Sequence, residues 1–173
     1  KIDSAVKFAR RAAKVTFDDL KPEEIASAKR SITDCIGVMI AGASLGYKVK
    51  DVAKYIQMKG GAEEATLIGY GGKYPTNAVA MANGGFAHTM DYDDAAVSGS
   101  HPTASTVPIS LAFAERKGGV SGKEFITAVT VGNDLLVRLS NSTPQVIHQG
   151  WLGPMIKGGF AAALAGSKIL GLD

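Results

Sequence analysis

The run TNAVAMANGGFAHTMDYDD, residues 76–94, decides how the rest of the chain is read. Its alanine-rich first half has the composition of a buried helix, and Thr76 is a suitable residue to cap the start. Gly84 and Gly85 interrupt it at a cost of about 1 kcal/mol each relative to alanine, so the pair predicts close backbone contact with a neighbour. The second half carries His88, Asp91, Asp93 and Asp94, the densest polar cluster in the chain. If the helix continues through them, Asp91 shares a face with both His88 and Asp94, each three residues away.

Helical spacing continues on either side. Val6, Ala9 and Ala13 recur three or four residues apart, opposite Lys7, Arg10, Arg11 and Lys14, and predict a short amphipathic helix with the apolar set inward. Pro22 opens a second helix, with Glu23 and Glu24 in the first turn where carboxylates suit the positive dipole end. Ile25, Ala28, Ile32, Cys35, Ile36 and Met39 face inward along it, and it ends near Gly42. Val52, Tyr55 and Ile56 mark a third helix, closed by Gly60-Gly61. Residues 64–69 predict a short extended piece before a glycine-rich turn, so at most a small β hairpin is expected near 65–75.

After a loop of small residues, His101-Pro102 leads into a helix over 104–115. Ser121-Gly-Lys-Glu124 has the form of a capping box and opens a long helix reaching Arg138. Residues 140–153 are irregular, and a Gly- and Ala-rich helix covers 155–170. No repeat, linker or low-complexity tract divides the 173 residues. The expectation is one helical domain, 1–173, of all-α class, a multi-helix bundle with small residues at its contacts. Surfaces of that kind favour a homodimer.

Composition narrows the class. With 46% hydrophobic and 20% charged residues the chain is ordinary globular protein. The net charge of +3 is scattered and not interleaved with aromatics, which argues against a nucleic-acid partner and leaves only a weak pull on small anions. Cys35, the single cysteine, lies in the apolar run 32–40 and reads as a buried structural thiol. No uncharged apolar stretch of about 18 residues appears, and the N-terminus is charged, so a cytoplasmic protein with no membrane partner is expected. The chain opens on Lys1 without a methionine, which suggests a trimmed N-terminus.

Chemistry concentrates around residues 88–101. Three carboxylates within four residues repel one another, and burial would raise at least one pKa toward acid–base range. His101 follows next to a helix start, where free amides suit a substrate carboxylate. The plainer reading is a solvated helix end followed by a turn histidine. A divalent metal on Asp91, Asp93 and Asp94 is another option, but the tract lacks the alternating ligands and fixed glycine of a calcium loop, and no His-x-x-x-His exists for zinc. Neither metal nor cofactor is expected. Gly69-Tyr-Gly-Gly72 lacks the lysine and serine of a phosphate loop, and Ser98 and Ser100 have no nucleophile elbow. His148 reads as a surface or hinge residue. Lys157, among small apolar residues, is either a contact for a substrate carboxylate or a snorkelling surface lysine.

The run Asn83-Gly-Gly-Phe-Ala-His-Thr-Met-Asp-Tyr-Asp-Asp94, then His101-Pro-Thr-Ala-Ser-Thr-Val-Pro108 and Ala112-Phe-Ala-Glu115, resembles the signature of the MmgE/PrpD family. That family includes 2-methylcitrate dehydratase, cis-aconitate decarboxylase and iminodisuccinate epimerase. Phe17-Asp-Asp-Leu20, Asp34-Cys-Ile-Gly37, Gly61-Ala-Glu-Glu-Ala65, Gly132-Asn-Asp134 with Arg138, and the closing Leu-Gly-Leu-Asp173 extend the similarity in order. The resemblance implies proton abstraction next to a carboxylate, followed by loss of water or carbon dioxide or by reprotonation, without a cofactor. Asp91 matches the first aspartate of the family's site and His101 its catalytic histidine. His88, Asp94 and Lys157 are the accompanying substrate-binding candidates. The implied substrate is a small di- or tricarboxylic acid, and the implied activity a 2-methylcitrate dehydratase-like hydro-lyase of propionate catabolism.

Two positions depart from the family's pattern. Ala95 stands where a threonine is usual, and Leu152 where a histidine follows the glycine matching Gly150. Family members also resemble two-domain proteins with an α/β lid. The chain is therefore expected to be the N-terminal part of the helical domain, with the lid absent. The alternative is a catalytically lapsed or truncated helical dimerisation module of the same family.

Overall fold

The computed structural model describes residues 3–96, 99–144, 149–151 and 153–172. Among them lie seven α-helices: α1 (Ser4–Lys14), α2 (Pro22–Leu45), α3 (Val49–Lys59), α4 (Thr76–His88), α5 (Thr103–Arg116), α6 (Gly122–Ser142) and α7 (Gly153–Leu170). The hairpin is β1 (Ala65–Thr66) antiparallel to β2 (Lys73–Tyr74), with Ala65 opposite Tyr74. The chain is thus the expected all-α bundle with one small sheet. No single helix among the described residues is both long and apolar enough to cross a membrane; α2 and α3 combine that length and composition only together, across a bend of 91°.

Local chemistry sets the helix starts. The Asp3 carboxylate accepts from the Ala5 amide at 2.7 Å and begins α1. Glu24 reaches back to the Lys21 amide at 2.8 Å, and Pro22 supplies a first-turn residue with no amide to satisfy. The box predicted before α6 is complete: Glu124 N–H donates to Ser121 Oγ at 3.2 Å, and Ser121 N–H to Glu124 Oε2 at 2.8 Å. Thr76 departs from expectation, for it is the buried first residue of α4 and not its cap. Its hydroxyl donates to Glu64 Oε2 at 2.7 Å and ties the helix to the hairpin's approach.

The core gathers Cys35, Met39 and Ala43 of α2, Val49, Ala53 and Ile56 of α3, and Leu67 after β1. Phe86 of α4, Val107 of α5 and Val129 of α6 complete it. Burying a side chain such as Phe86 or Ile56 contributes about 1.5–3 kcal/mol. The α2–α4 crossing depends on Gly42, where a Cβ would lie 1.9 Å from the Phe86 carbonyl oxygen. Gly42 is therefore a contact and not a stop, and α2 runs on to Leu45. Gly84 plays the predicted close-contact part toward α5, with a Cβ 3.1 Å from the Ala104 carbonyl; Gly85 has nothing within 4 Å.

Two other expectations are corrected. Helix α1 turns Ala12 and Phe8 inward, while Val6, Ala9 and Ala13 are exposed. It rests on α7 by its last turn, where Lys168 donates to the Ala12 and Ala13 carbonyls at 3.0 and 2.7 Å, and that anchor selects the face. Helix α4 stops at His88 and does not carry through Asp94, with consequences at the site.

Candidate active site

Helix α4 ends in a turn that re-aims the acidic run. Thr89 N–H closes the last helical bond to the Gly85 carbonyl at 2.9 Å, and Asp91 N–H donates to the His88 carbonyl at 3.0 Å. Asp91 then takes φ 50°, in the left-handed region that aspartate enters more readily than most residues. Helical spacing lapses there, so Asp93, and not Asp91, comes to lie against His88.

The Asp93 side chain is 0% exposed. A buried carboxylate needs partners, and it has imidazoles on two sides. His88 Nδ1 lies 3.0 and 3.1 Å from its two oxygens. His101 Nδ1 lies 3.3 Å from Oδ1, within ion-pair distance. That approach lacks hydrogen-bond geometry, and His101 Nδ1 is a buried atom with no hydrogen-bond partner among the described residues. The two rings meet edge to face, with centroids 4.9 Å apart and planes at 61°. The hydrogen bond to Asp93 holds the His88 pKa above its ordinary value; burial pulls the other way, and the charges of Asp93 and Asp91 reinforce the rise.

Asp91 stands on the solvent side, its side chain 81% exposed and its Oδ1 3.8 Å from His101 Nε2. This is ion-pair proximity and too long for a hydrogen bond. One nitrogen or oxygen from each of His88, Asp91, Asp93 and His101 can be chosen so that all lie within 4.8 Å of one another. The structure thus brings together three of the residues singled out from sequence and adds Asp93, which sequence reasoning placed in the cluster but not in the site.

Asp94 turns the other way. Its Oδ1 accepts from the Thr103 amide at 3.1 Å and, very closely, from the Thr103 hydroxyl. Burial raises its pKa, against the lowering effect of those hydrogen bonds. The Ser105 and Thr106 amides turn back to the Pro102 carbonyl, both at 3.2 Å. Three of the amides at the α5 start that sequence offered to a substrate carboxylate, those of Thr103, Ser105 and Thr106, are therefore engaged by the chain's own groups. Behind it, the Cys35 thiol donates to the Thr103 carbonyl at 3.5 Å, and burial pushes its pKa up to about 12, as befits a structural cysteine.

Lys157 is 5% exposed, with its amine 3.4 Å from the Thr143 carbonyl. Ala95 is exposed. Ser98, His148 and Leu152 lie outside the described residues. A groove of about 400 Å³, lined by Tyr47, Val49, Met81, Phe86, His88 and Thr89, reaches the cluster from its apolar side. A roomier one of about 800 Å³ runs past Lys29, Lys73, Glu115 and Phe125 and has no histidine in its lining. Acid–base side chains, not volume, mark the site.

Residues 6–173 match the MmgE/PrpD N-terminal domain. The chain is 30% identical over 169 residues to a cis-aconitate decarboxylase-like protein of Aspergillus oryzae, covering 90% of this chain and 35% of that protein. Identity to the cis-aconitate decarboxylase of Homo sapiens is 30% over 177 residues, 96% of this chain and 36% of the relative. For the enzyme of Aspergillus terreus it is 30% over 171 residues, covering 93% and 34%. The chain spans about a third of the length of these curated relatives. With its signature segment forming the histidine–aspartate cluster and the domain match running almost end to end, the chain belongs to the MmgE/PrpD family.

Proposed function

We propose that this chain carries the acid–base centre of a lyase acting on a small di- or tricarboxylic acid, with His101 as the group that moves the proton. The observation that carries the reading is a wholly buried Asp93 carboxylate set between two imidazoles, one of which turns its other nitrogen toward an exposed carboxylate. The Asp93 charge, 3.3 Å from Nδ1, favours by electrostatics the tautomer that carries the proton there and leaves Nε2 with a lone pair. His101 Nε2 then takes a proton from the carbon next to a substrate carboxylate. The C–H electron pair becomes a carbon–carbon double bond, and a neighbouring hydroxyl takes the proton from the imidazolium and leaves as water, which returns His101 to its starting state. Asp93 and Asp91 stabilise the imidazolium that forms. Decarboxylation uses the same site differently: carbon dioxide leaves, and a protonated His101 returns a proton to carbon.

The left-handed backbone at Asp91 fits this role, since strained positions gather where a side chain must be aimed. Lys157, buried and with no carboxylate at ion-pair distance among the described residues, is the charge we assign to the substrate's second carboxylate. 2-Methylcitrate is the acid suggested by the family's dehydratase, and cis-aconitate the one named by the relatives. Turnover of both should be measured for the wild type, His101→Ala and Asp93→Asn. A general acid–base group contributes typically about 10²–10⁴-fold, so His101→Ala should lose at least about 10²-fold. Equal rates in wild type and His101→Ala remove His101 from the chemistry.

A second copy of the chain is the partner we propose. Trp151, Met155 and Phe160, at and along α7, are 60, 78 and 63% exposed, and association would take them from water. Light scattering that gives the monomer mass across a concentration series counts against it.

A further inference from the structure

We propose that the acid bound here carries an unbranched alkyl substituent of several carbons, held in the apolar groove that leads to His88. The placement of its carboxylate end rests on the acid–base reading above, and the groove names the class of acid within that reading: an alkyl-substituted di- or tricarboxylate. The groove encloses about 400 Å³, inside the range of roughly 300–1,000 Å³ typical of small-molecule sites. Tyr47, from the turn between α2 and α3, forms one wall with Val49 and Val52 of α3, and Met81, Gly85 and Phe86 of α4 form the other. No lysine, arginine, aspartate or glutamate is among its lining residues, and it closes on His88 and Thr89. Such walls offer a hydrocarbon chain an escape from water and offer a second carboxylate nothing.

Gly85 supplies an independent observation. A glycine inside a helix destabilises it relative to alanine, and at Gly84 that cost serves the close approach of the Ala104 carbonyl, 3.1 Å from where a Cβ would lie. At Gly85 it serves no packing contact, since a Cβ there would meet nothing within 4 Å. What the missing side chain leaves is room in the groove. Met81, Gly85, His88 and Thr89 follow one another on a single face of α4 and its last turn, so the gap at Gly85 lies one turn before the imidazole. The His88 ring is 4.9 Å, centroid to centroid, from that of His101. An acid whose reacting carbon sits at His101 thus has a route past His88 for an apolar substituent, while its carboxylates stay with the charged groups. A chain lying there also covers Met81 and Tyr47, which are 63 and 82% exposed.

The test is calorimetric binding of methyl-, butyl- and hexylsuccinate, dicarboxylates with no hydroxyl to lose, to the wild type, Gly85→Leu, Met81→Glu and the surface variant Lys7→Gln on α1. Each methylene taken from water tightens binding about fourfold, so the three added between methyl and butyl bring roughly 60-fold if wholly buried, and at least about tenfold is expected in the open groove. Lys7→Gln should keep that gain. Gly85→Leu fills the groove and should abolish it, and Met81→Glu, which sets a charge beside the tail at an exposed position, keeps the test decisive if Gly85→Leu fails to fold. A Kd that does not fall with chain length in the wild type, no binding of any member, or a gain that both groove variants leave intact overturns the proposal. So does a changed mass by light scattering in Gly85→Leu with the alkyl gain untouched, which assigns the groove to a second copy of the chain. A chain-length gain without turnover of any acid removes the reaction proposed above and keeps the groove, and turnover without the gain does the reverse.

Discussion

Helix α4 meets two kinds of neighbour along its length, and the contrast separates what holds this molecule together from what equips it. At Phe86 the helix is crossed by α2 at Gly42, and the contact exists because a side chain is missing. Two residues later, at His88, the helix ends in a contact that exists because side chains are present: an imidazole, a buried carboxylate and a second imidazole. The first contact tolerates nothing added, and the second should tolerate nothing removed. The loop that follows repeats the contrast in miniature. Asp93 faces the histidines, whereas its neighbour Asp94 faces α5 and joins Thr103 to the core beside Cys35.

The largest effect should come from filling the packed end. In Gly42→Ala the new methyl would lie 1.9 Å from the Phe86 carbonyl oxygen, and a backbone atom cannot step aside as a side-chain tip can. Overpacking of this kind costs typically about 1–3 kcal/mol, and we expect the upper end, read as a lowered urea midpoint. Gly85→Ala, one helical face away with nothing within 4 Å, should be neutral or slightly stabilising, since alanine is the better helix former. Equal losses in both variants would mean that helix propensity, not the crossing, is being measured.

A smaller effect separates the two aspartates' surroundings. Asp94→Ala removes an acceptor from the Thr103 amide and hydroxyl at the start of α5, and losing an acceptor that serves as a helix cap does costs about 0.5–2 kcal/mol. Asp94→Asn keeps an acceptor, and burial already disfavours the charge it removes, so most of the stability should survive. Thermal unfolding of the pair checks this. If asparagine is as damaging as alanine, the negative charge and not the cap is what α5 needs.

The fold was largely legible because it is written in short-range chemistry. Pro22 with its following glutamates, the Ser121–Glu124 box and the glycine-rich turn near 69–75 act within a few residues, and each element formed as expected. The face of α1 was misread because amphipathic spacing says which residues are apolar, not which neighbour arrives. The Lys168 contacts to Ala12 and Ala13 come from the far end of the chain. The site was half legible. His88, Asp91 and His101 were marked by residue type and by the family resemblance. Asp93 was passed over because continuing the α4 period placed Asp91 under His88. One left-handed residue undid that period, and no local signal distinguishes an aspartate that will take φ 50° from one that will not.

The most specific prediction concerns protons at the equipped end of α4. The bond to Asp93 raises His88 above its ordinary imidazole value of 6.5. The folded state therefore binds this proton more tightly than the unfolded chain does. Its contribution to stability is fully present below pH 6.5 and is lost as pH rises through the raised value. Asp94 has the same sign at the acid end: its raised carboxyl favours the folded state below pH 3.8, an advantage lost as pH rises through the raised value. Asp93→Asn should separate the two windows. It removes the bond and the charge that lift His88 and leaves burial, which pulls the imidazole down, opposed by the weaker effect of Asp91. An NMR titration should find the His88 midpoint lowered in the variant. Urea unfolding across the neutral range should find the pH slope flattened there, with the acid window kept by burial of Asp94 but narrowed, because the Asp93 charge is a lesser cause of the Asp94 rise. A His88 midpoint that stays put in Asp93→Asn would show that the buried carboxylate does not hold the imidazole's proton, and with it would go the electrostatic basis for assigning Asp93 the same service at His101.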